Sequence, residues 1–133
     1  MSAVLPPELS ELVTAAREVR ERAYAPYSAF RVGAAVRACS GRVFVGCNVE
    51  NKSYGGTICA ERAAILQMVS AGETALVAVA VFTDAETLAM PCGLCRQVIA
   101  EFEQSAQVLA ANPREFKLLA FSALFPDPFV LSR

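Results

Sequence analysis

The sequence predicts an α/β protein, a three-layer α-β-α sandwich built around a mixed central sheet of about five strands. Three observations carry that expectation. Apolar residues near the start of the 133-residue chain recur at helical spacing. The unbroken apolar run Leu76–Phe82 has the length of a strand buried on both faces of a sheet. Segments of the two kinds then alternate in the order α-β-β-α-β-α-β-β, followed by a short tail. No repeat, low-complexity stretch or long linker interrupts them, so residues 1–133 read as a single domain.

Pro6-Pro7 opens the first helix, with Leu9, Leu12, Val13, Ala16, Val19 and Ala23 on one face. Glu8, Glu11, Arg17, Glu18, Arg20 and Glu21 fall mostly on the other face, and Pro26 ends the segment. Arg31–Ala38 and Arg42–Cys47 are β-rich runs around Cys39-Ser40-Gly41, a hairpin. Asn48–Thr57 carries two adjacent glycines and two asparagines and reads as a loop. Cys59–Ser70 is a second helix, rich in Ala, Leu and Met and closed by Gly72. The strand Leu76–Phe82 follows. Pro91 starts a third helix that runs to about Gln104, since proline suits the first helical turn. Gln107–Ala111 and Phe116–Phe121 are strands around Asn112-Pro113, and Pro126 and Pro128 break the tail Ser122–Phe129.

Composition excludes several kinds of chemistry. The chain has no histidine, so there is no Ser-His-Asp triad, Cys-His dyad, His-x-Glu zinc site or imidazole proton shuttle. Twelve basic and thirteen acidic residues give a net charge of −1, which argues against a nucleic-acid surface. The opening Met-Ser-Ala-Val-Leu-Pro-Pro lacks the pattern of a secretory signal. The longest apolar run falls far short of the roughly 20 residues that span a bilayer. A soluble, cytoplasmic protein is expected. In a reducing compartment five cysteines are better read as ligands, nucleophiles or core residues than as disulfides. Charged residues make up only 19%, against a usual share of about 25%, which points to surface hidden between subunits.

Two helix starts concentrate the reactive residues: Cys59-Ala60-Glu61-Arg62 and Pro91-Cys92-Gly93-Leu94-Cys95-Arg96. Cys92 and Cys95, three apart, project from one helix face. Helix N-termini favour thiolate over thiol. If the two helices meet end to end, Cys59, Cys92 and Cys95 form a three-thiolate site suited to zinc with a fourth position open. Glu61 is then close enough to move a proton at that position. Arg62 or Arg96 could temper the thiolate charge. Taken singly, Cys-x-x-Cys also reads as a redox pair or as core cysteines, and Cys59 as a small buried hydrophobe. Cys39 and Cys47 match no ligand position and read as packing residues.

Cys-Ala-Glu followed by Pro-Cys-x-x-Cys resembles the signature of zinc-dependent nucleoside deaminases, in the version with cysteine in place of the commoner histidine. Ala25-Pro-Tyr-Ser-Ala-Phe-Arg-Val-Gly-Ala-Ala35, Gly46-Cys-Asn-Val-Glu-Asn51 and Ser53-Tyr-Gly-Gly-Thr-Ile-Cys-Ala-Glu-Arg62 look like the small, homotetrameric cytidine deaminase family. The resemblance covers roughly Tyr24 to Phe129. It implies one Zn²⁺ per subunit on Cys59, Cys92 and Cys95, with hydroxide attacking C4 of cytidine or deoxycytidine and Glu61 shuttling protons. Ammonia leaves, in a reaction of pyrimidine salvage. It further implies that Phe30 packs against the base, Asn48 and Glu50 hold the ribose hydroxyls, and Ala60 touches substrate. Tyr54 and Phe129 are lent to a neighbouring subunit's site, and Arg62 tempers the thiolate charge. The tail departs from the family pattern, with Ala123-Leu124-Phe125-Pro126 where two leucines before the proline are usual, so Phe125 competes with Phe129 for the lent role. Lys52 stands where a small residue is common. A deaminase of the blasticidin S type shares both cysteine motifs, but Glu50 favours the cytidine reading. A non-catalytic zinc or redox domain is the alternative from another class, and a closed zinc site would want a fourth ligand.

Overall fold

The protein is described by a computed structural model over residues 4–132; Met1–Ala3, part of the segment read above for a secretory signal, and Arg133 lie outside the description. Gly33–Ala38 (β1) and Val43–Cys47 (β2) form the expected hairpin, with Gly33 opposite Cys47 and Arg37 opposite Val43. Leu76–Phe82 (β3) joins β1 antiparallel, and Glu103–Ala111 (β4) joins β3 parallel. Phe116–Ala120 (β5) closes the far edge antiparallel to β4. The result is one mixed sheet of five strands in the order β2-β1-β3-β4-β5. β3 occupies its centre, which is why a run without polar interruption forms it.

Pro7–Arg20 (α1) covers one face, and Ala60–Ser70 (α2) with Gly93–Phe102 (α3) covers the other. The period of two along β3 sorts the core. Ala78, Ala80 and Phe82 meet Leu9, Leu12 and Ala16 of α1. Val79 and Val81 meet Ala64, Ile65 and Met68 of α2 and Ile99 of α3. The three-layer α-β-α sandwich is therefore present. Much of the alanine is functional packing: small side chains under both helix layers let the helices sit close to the sheet. α3 is the crossover that a parallel β3–β4 pair requires, and it places its own first turn beside that of α2. A last short helix, Phe121–Leu124 (α4), follows β5.

Close approach demands glycine at Gly33 on β1, where a Cβ would lie 1.9 Å from the Ala16 carbonyl oxygen of α1, and at Gly46 on β2. A Cβ at Gly46 would lie 2.4 Å from the Ala64 nitrogen and 2.8 Å from the Ala60 carbonyl oxygen, so only glycine lets α2 rest on the hairpin. Gly46→Ala must push α2 outward, at about 1–3 kcal/mol by the usual cost of overpacking. Because Cys59 caps that helix and Glu61 sits on its first turn, the variant should also bind zinc more weakly. Urea unfolding and metal content together check this; a parent-like midpoint with full metal would show that the contact is slack.

Most element ends shift by only one or two residues from the sequence reading, and the two larger departures each have a local reason. α1 stops at Arg20 and does not reach Ala23. Arg22 and Ala23 donate to carbonyls three residues back, and Tyr24 is drawn into a bridge with Val49, its N–H bonding the Asn48 carbonyl at 2.9 Å. α3 ends at Phe102 and β4 begins at once, where a helix to Gln104 and a strand from Gln107 were expected. Ser105 adopts φ 47°, the register with β3 shifts there, and the Ala106 N–H bonds Glu103 Oε1 at 3.0 Å. That bulge replaces a loop.

Candidate active site

Both reactive segments are helix starts, as the sequence suggested, but each first cysteine is a cap residue. Cys59 precedes α2 in extended conformation (φ −73°, ψ 153°), and Cys92 precedes α3 likewise (φ −70°, ψ 172°). Cys95 follows one turn into α3 and is fully buried. The three Sγ atoms lie within 4.8 Å of one another, a spacing one metal ion can bridge. Among the described residues no fourth His, Cys, Asp or Glu joins them. The donor set fits Zn²⁺: soft thiolates, two helix N-termini favouring negative charge, and a position left for a reactant. Converging on one point, the cysteines do not segregate as a pair plus a bystander.

Arg62 donates from Nη2 to the Thr57 carbonyl at 3.1 Å and towards Cys59 Sγ at 3.6 Å. Its Nε is buried without a hydrogen-bond partner among the described residues. Arg96, the other basic residue beside a cysteine, instead bonds the carbonyls of Pro91 (2.7 Å) and Leu124 (3.1 Å), tying the α3 start to α4. A hydrogen bond from the Cys95 thiol lowers the Cys59 pKa to about 5, and Arg62 adds to this against the opposing effect of burial. The same hydrogen bond, with burial, pushes the Cys95 thiol up. The Cys59 thiolate in turn raises the Arg62 pKa. Without metal the cluster thus keeps a thiolate on Cys59 and a thiol on Cys95.

Thiolates and carboxylates share one cavity of about 260 Å³. Phe30, Asn48, Glu50, Cys59, Ala60, Glu61 and Cys92 all line it. The two carboxylates differ sharply. Glu61 is 5% exposed, and burial pushes its pKa up to about 7, with the Cys59 thiolate adding to the shift. Glu50 accepts the Ser28 hydroxyl and the backbone N–H groups of Tyr27 and Ser28, which hold its carboxyl below the usual range. One carboxyl is poised to carry a proton near neutral pH while the other stays ionised, a division typical of acid–base sites.

The Glu61 shift has a consequence for folding. Its carboxyl is neutral in the metal-free fold below about pH 7 yet ionises from 4.5 upward in the unfolded chain. The destabilisation therefore grows above pH 4.5 and is complete above 7. At about 1.4 kcal/mol per pH unit it reaches up to about 3 kcal/mol. Metal-stripped Glu61→Gln should be more stable than the stripped parent at pH 8 and indistinguishable near pH 4, by denaturant unfolding at each pH.

Asn48 is buried and first serves the backbone: Oδ1 accepts the Val32 N–H at 2.9 Å and Nδ2 donates to the Phe30 carbonyl at 2.7 Å. One N–H of Nδ2 remains for a ligand. Phe30 is 44% exposed at the cavity wall and is not a core residue. Tyr54 and Phe129 are not brought to this cavity. Tyr54 lies edge-on to Tyr27, ring centroids 5.5 Å apart, beside an adjoining hollow that shares Ser28, Glu50 and Thr57 with the first. Phe129 is exposed on the far side of α3, its carbonyl accepting from Gln97 at 3.2 Å. Phe125 packs edge-on against Phe121. Cys47 is half-buried, but Cys39 sits exposed in the hairpin turn, outside both layers, and is not the packing residue expected. Ser28, Thr57 and Met90 line the cavity and were not singled out from the sequence. Ser28 and Thr57 had one signal each, their places in the Tyr-Ser-Ala-Phe and Tyr-Gly-Gly-Thr-Ile-Cys motifs; Met90 had none.

A sheet flanked by helices whose N-termini gather three cysteine sulfurs beside a cavity lined by a buried carboxylate defines a zinc enzyme of the deaminase class. Residues 6–111 match the family described as cytidine and deoxycytidylate deaminase zinc-binding region. The chain is 50% identical to a cytidine deaminase of Halalkalibacterium halodurans, over 89% of this chain and 91% of that one. It is 45% identical to a cytidine deaminase of Mycobacterium tuberculosis, over 82% and 80%. The crystal structure of cytidine deaminase from Burkholderia pseudomallei superposes with a TM-score of 0.85 at 42% identity, over 90% of this chain and 98% of that one. The chain belongs to the cytidine and deoxycytidylate deaminase zinc-binding family.

Proposed function

We propose that this enzyme hydrolytically deaminates cytidine and deoxycytidine to the corresponding uridines, releasing ammonia, as a single domain spanning residues 1–133. The observation that carries the reading is Glu61, buried with a pKa of about 7 in a cavity that Cys59 and Cys92 also line, beside the three converging cysteine sulfurs. The names of the relatives supply the nucleoside. Cys59, Cys92 and Cys95 hold the zinc, which when bound lowers the pKa of water towards neutrality and so supplies a nucleophile. Glu61 takes the proton from the attacking water, delivers it to the ring nitrogen, and moves the next to the amine leaving C4. Arg62 offsets the negative charge of the thiolates. Phe30 packs on the base, Ala60 contributes backbone at the α2 start, and Asn48 and Glu50 receive the ribose hydroxyls.

Tyr54 and Phe129 serve a neighbouring subunit of a homotetramer. Their exposures of 72% and 71%, away from this chain's own cavity, support that reading, as does the low charge content. Among the described residues no helix is long and apolar enough to cross a membrane. A reducing cytoplasm suits five free cysteines. The test is a spectrophotometric assay of cytidine, deoxycytidine and blasticidin S, with and without chelator. Chelator-sensitive loss of the two cytidines is expected; turnover of blasticidin S alone would overturn the assignment. Native mass measurement tests the tetramer.

A further inference from the structure

Ser28 has no role in the reading above, yet it touches both recognition elements of the cavity. Its Oγ donates to Glu50 Oε2 and accepts the Phe30 backbone N–H at 3.0 Å. The Tyr27 and Ser28 N–H groups occupy Glu50 Oε1 at 3.0 and 3.1 Å. A carboxylate has about four acceptor directions, so one on Oε2 remains free to receive a ligand. From the other side Asn48 Nδ2 fixes the Phe30 carbonyl at 2.7 Å. Between Ser28 and Phe30, Ala29 is held at φ 59°, a left-handed conformation that L-residues disfavour and that persists only where neighbours impose it. Ser28 itself is exposed and buries no core surface. Its one conspicuous contribution is the pair of hydrogen bonds that link the carboxylate to the aromatic backbone.

We propose that Ser28 is a positioning residue: its hydroxyl sets Glu50 and Phe30 in fixed relation and thereby determines how tightly the sugar of the nucleoside is held. This rests on the reading that Glu50 receives sugar hydroxyls. A serine that merely completes a local turn would change thermal stability alone. A serine that aims Glu50 changes recognition of the sugar.

The experiment compares the zinc-loaded parent, Ser28→Ala, Glu50→Gln and the double variant, measuring kcat and KM for cytidine and for 2′,3′-dideoxycytidine. In Ser28→Ala the KM for cytidine should rise about tenfold or more, the scale of one hydrogen bond to a charged group, with a smaller fall in kcat. The KM for the dideoxy substrate should move much less. Adding Ser28→Ala to Glu50→Gln should change little further, because the two act as a unit. Ser28→Thr and Ser28→Val, equal in shape, repeat the comparison with bulk constant, and only the valine variant should show the raised KM. Parent-like KM in Ser28→Ala and Ser28→Val, equal rises for both substrates, or additive effects in the double variant would overturn the proposal. Absence of cytidine turnover by the parent is a separate result, which overturns the underlying functional reading and this proposal with it.

Discussion

Glu61→Gln is expected to lower kcat for cytidine by about 10²–10⁴-fold, the range general acid–base groups contribute, while zinc content stays at that of the parent. Glutamine matches the carboxyl in shape but neither takes nor gives a proton at neutral pH. The three sulfur ligands are untouched, and the cavity keeps its volume, so KM should change far less than kcat. That split separates a lost proton carrier from a lost binding contact. The same substitution should stabilise the metal-free fold above pH 7, because it removes a carboxylate that folding leaves 5% exposed. Loss of function with gain of stability is the signature of a group kept for chemistry and not for folding. A Glu61→Gln enzyme within tenfold of the parent's kcat would remove Glu61 from the mechanism.

How much of this could be read from residues alone depended on whether the determinant was local. The two cysteine-bearing helix starts were legible because cap, first turn and Pro91 lie within a few positions, and each motif carries its own geometry. β3 was legible because a central strand must be apolar on both faces. Ser28 was not, since its partner Glu50 is 22 positions away and a serine after Pro-Tyr reads equally well as turn chemistry. Gly46 read as one more strand residue, because the demand for glycine comes from α2 packing across it. The α3–β4 junction failed for another reason: nothing in Phe102-Glu103-Gln104-Ser105 announces that Ser105 takes a positive φ and absorbs the turn as a bulge. The roles proposed for Tyr54 and Phe129 have no counterpart in this chain's own cavity, so no local pattern in the sequence assigns them by itself.

Cys95→Ala should purify with far less than one zinc per chain and no measurable deaminase activity. Residues that only orient a metal ligand typically cost 10–100-fold in affinity when removed, and loss of one of three direct ligands should cost more, about 100-fold at least. At fixed free zinc that weakens metal-linked stabilisation by about 2.7 kcal/mol or more. The position is well chosen for the argument. Cys95 is fully buried on α3, so alanine leaves only a small void, and the Cys59 sulfur, which loses the Cys95 thiol as donor, keeps Arg62; the packing loss alone should be near 1 kcal/mol. The two contributions separate by measurement. Melting temperatures of parent and variant should lie close together in chelator and far apart in added zinc, with elemental analysis confirming the metal. Cys39→Ala, which removes an exposed thiol in the hairpin turn, should keep both zinc and its thermal response. If Cys95→Ala instead retained full zinc and the parent's zinc-dependent melting shift, the metal would have to be held elsewhere. The 4.8 Å sulfur cluster would then be a packing arrangement without catalytic meaning.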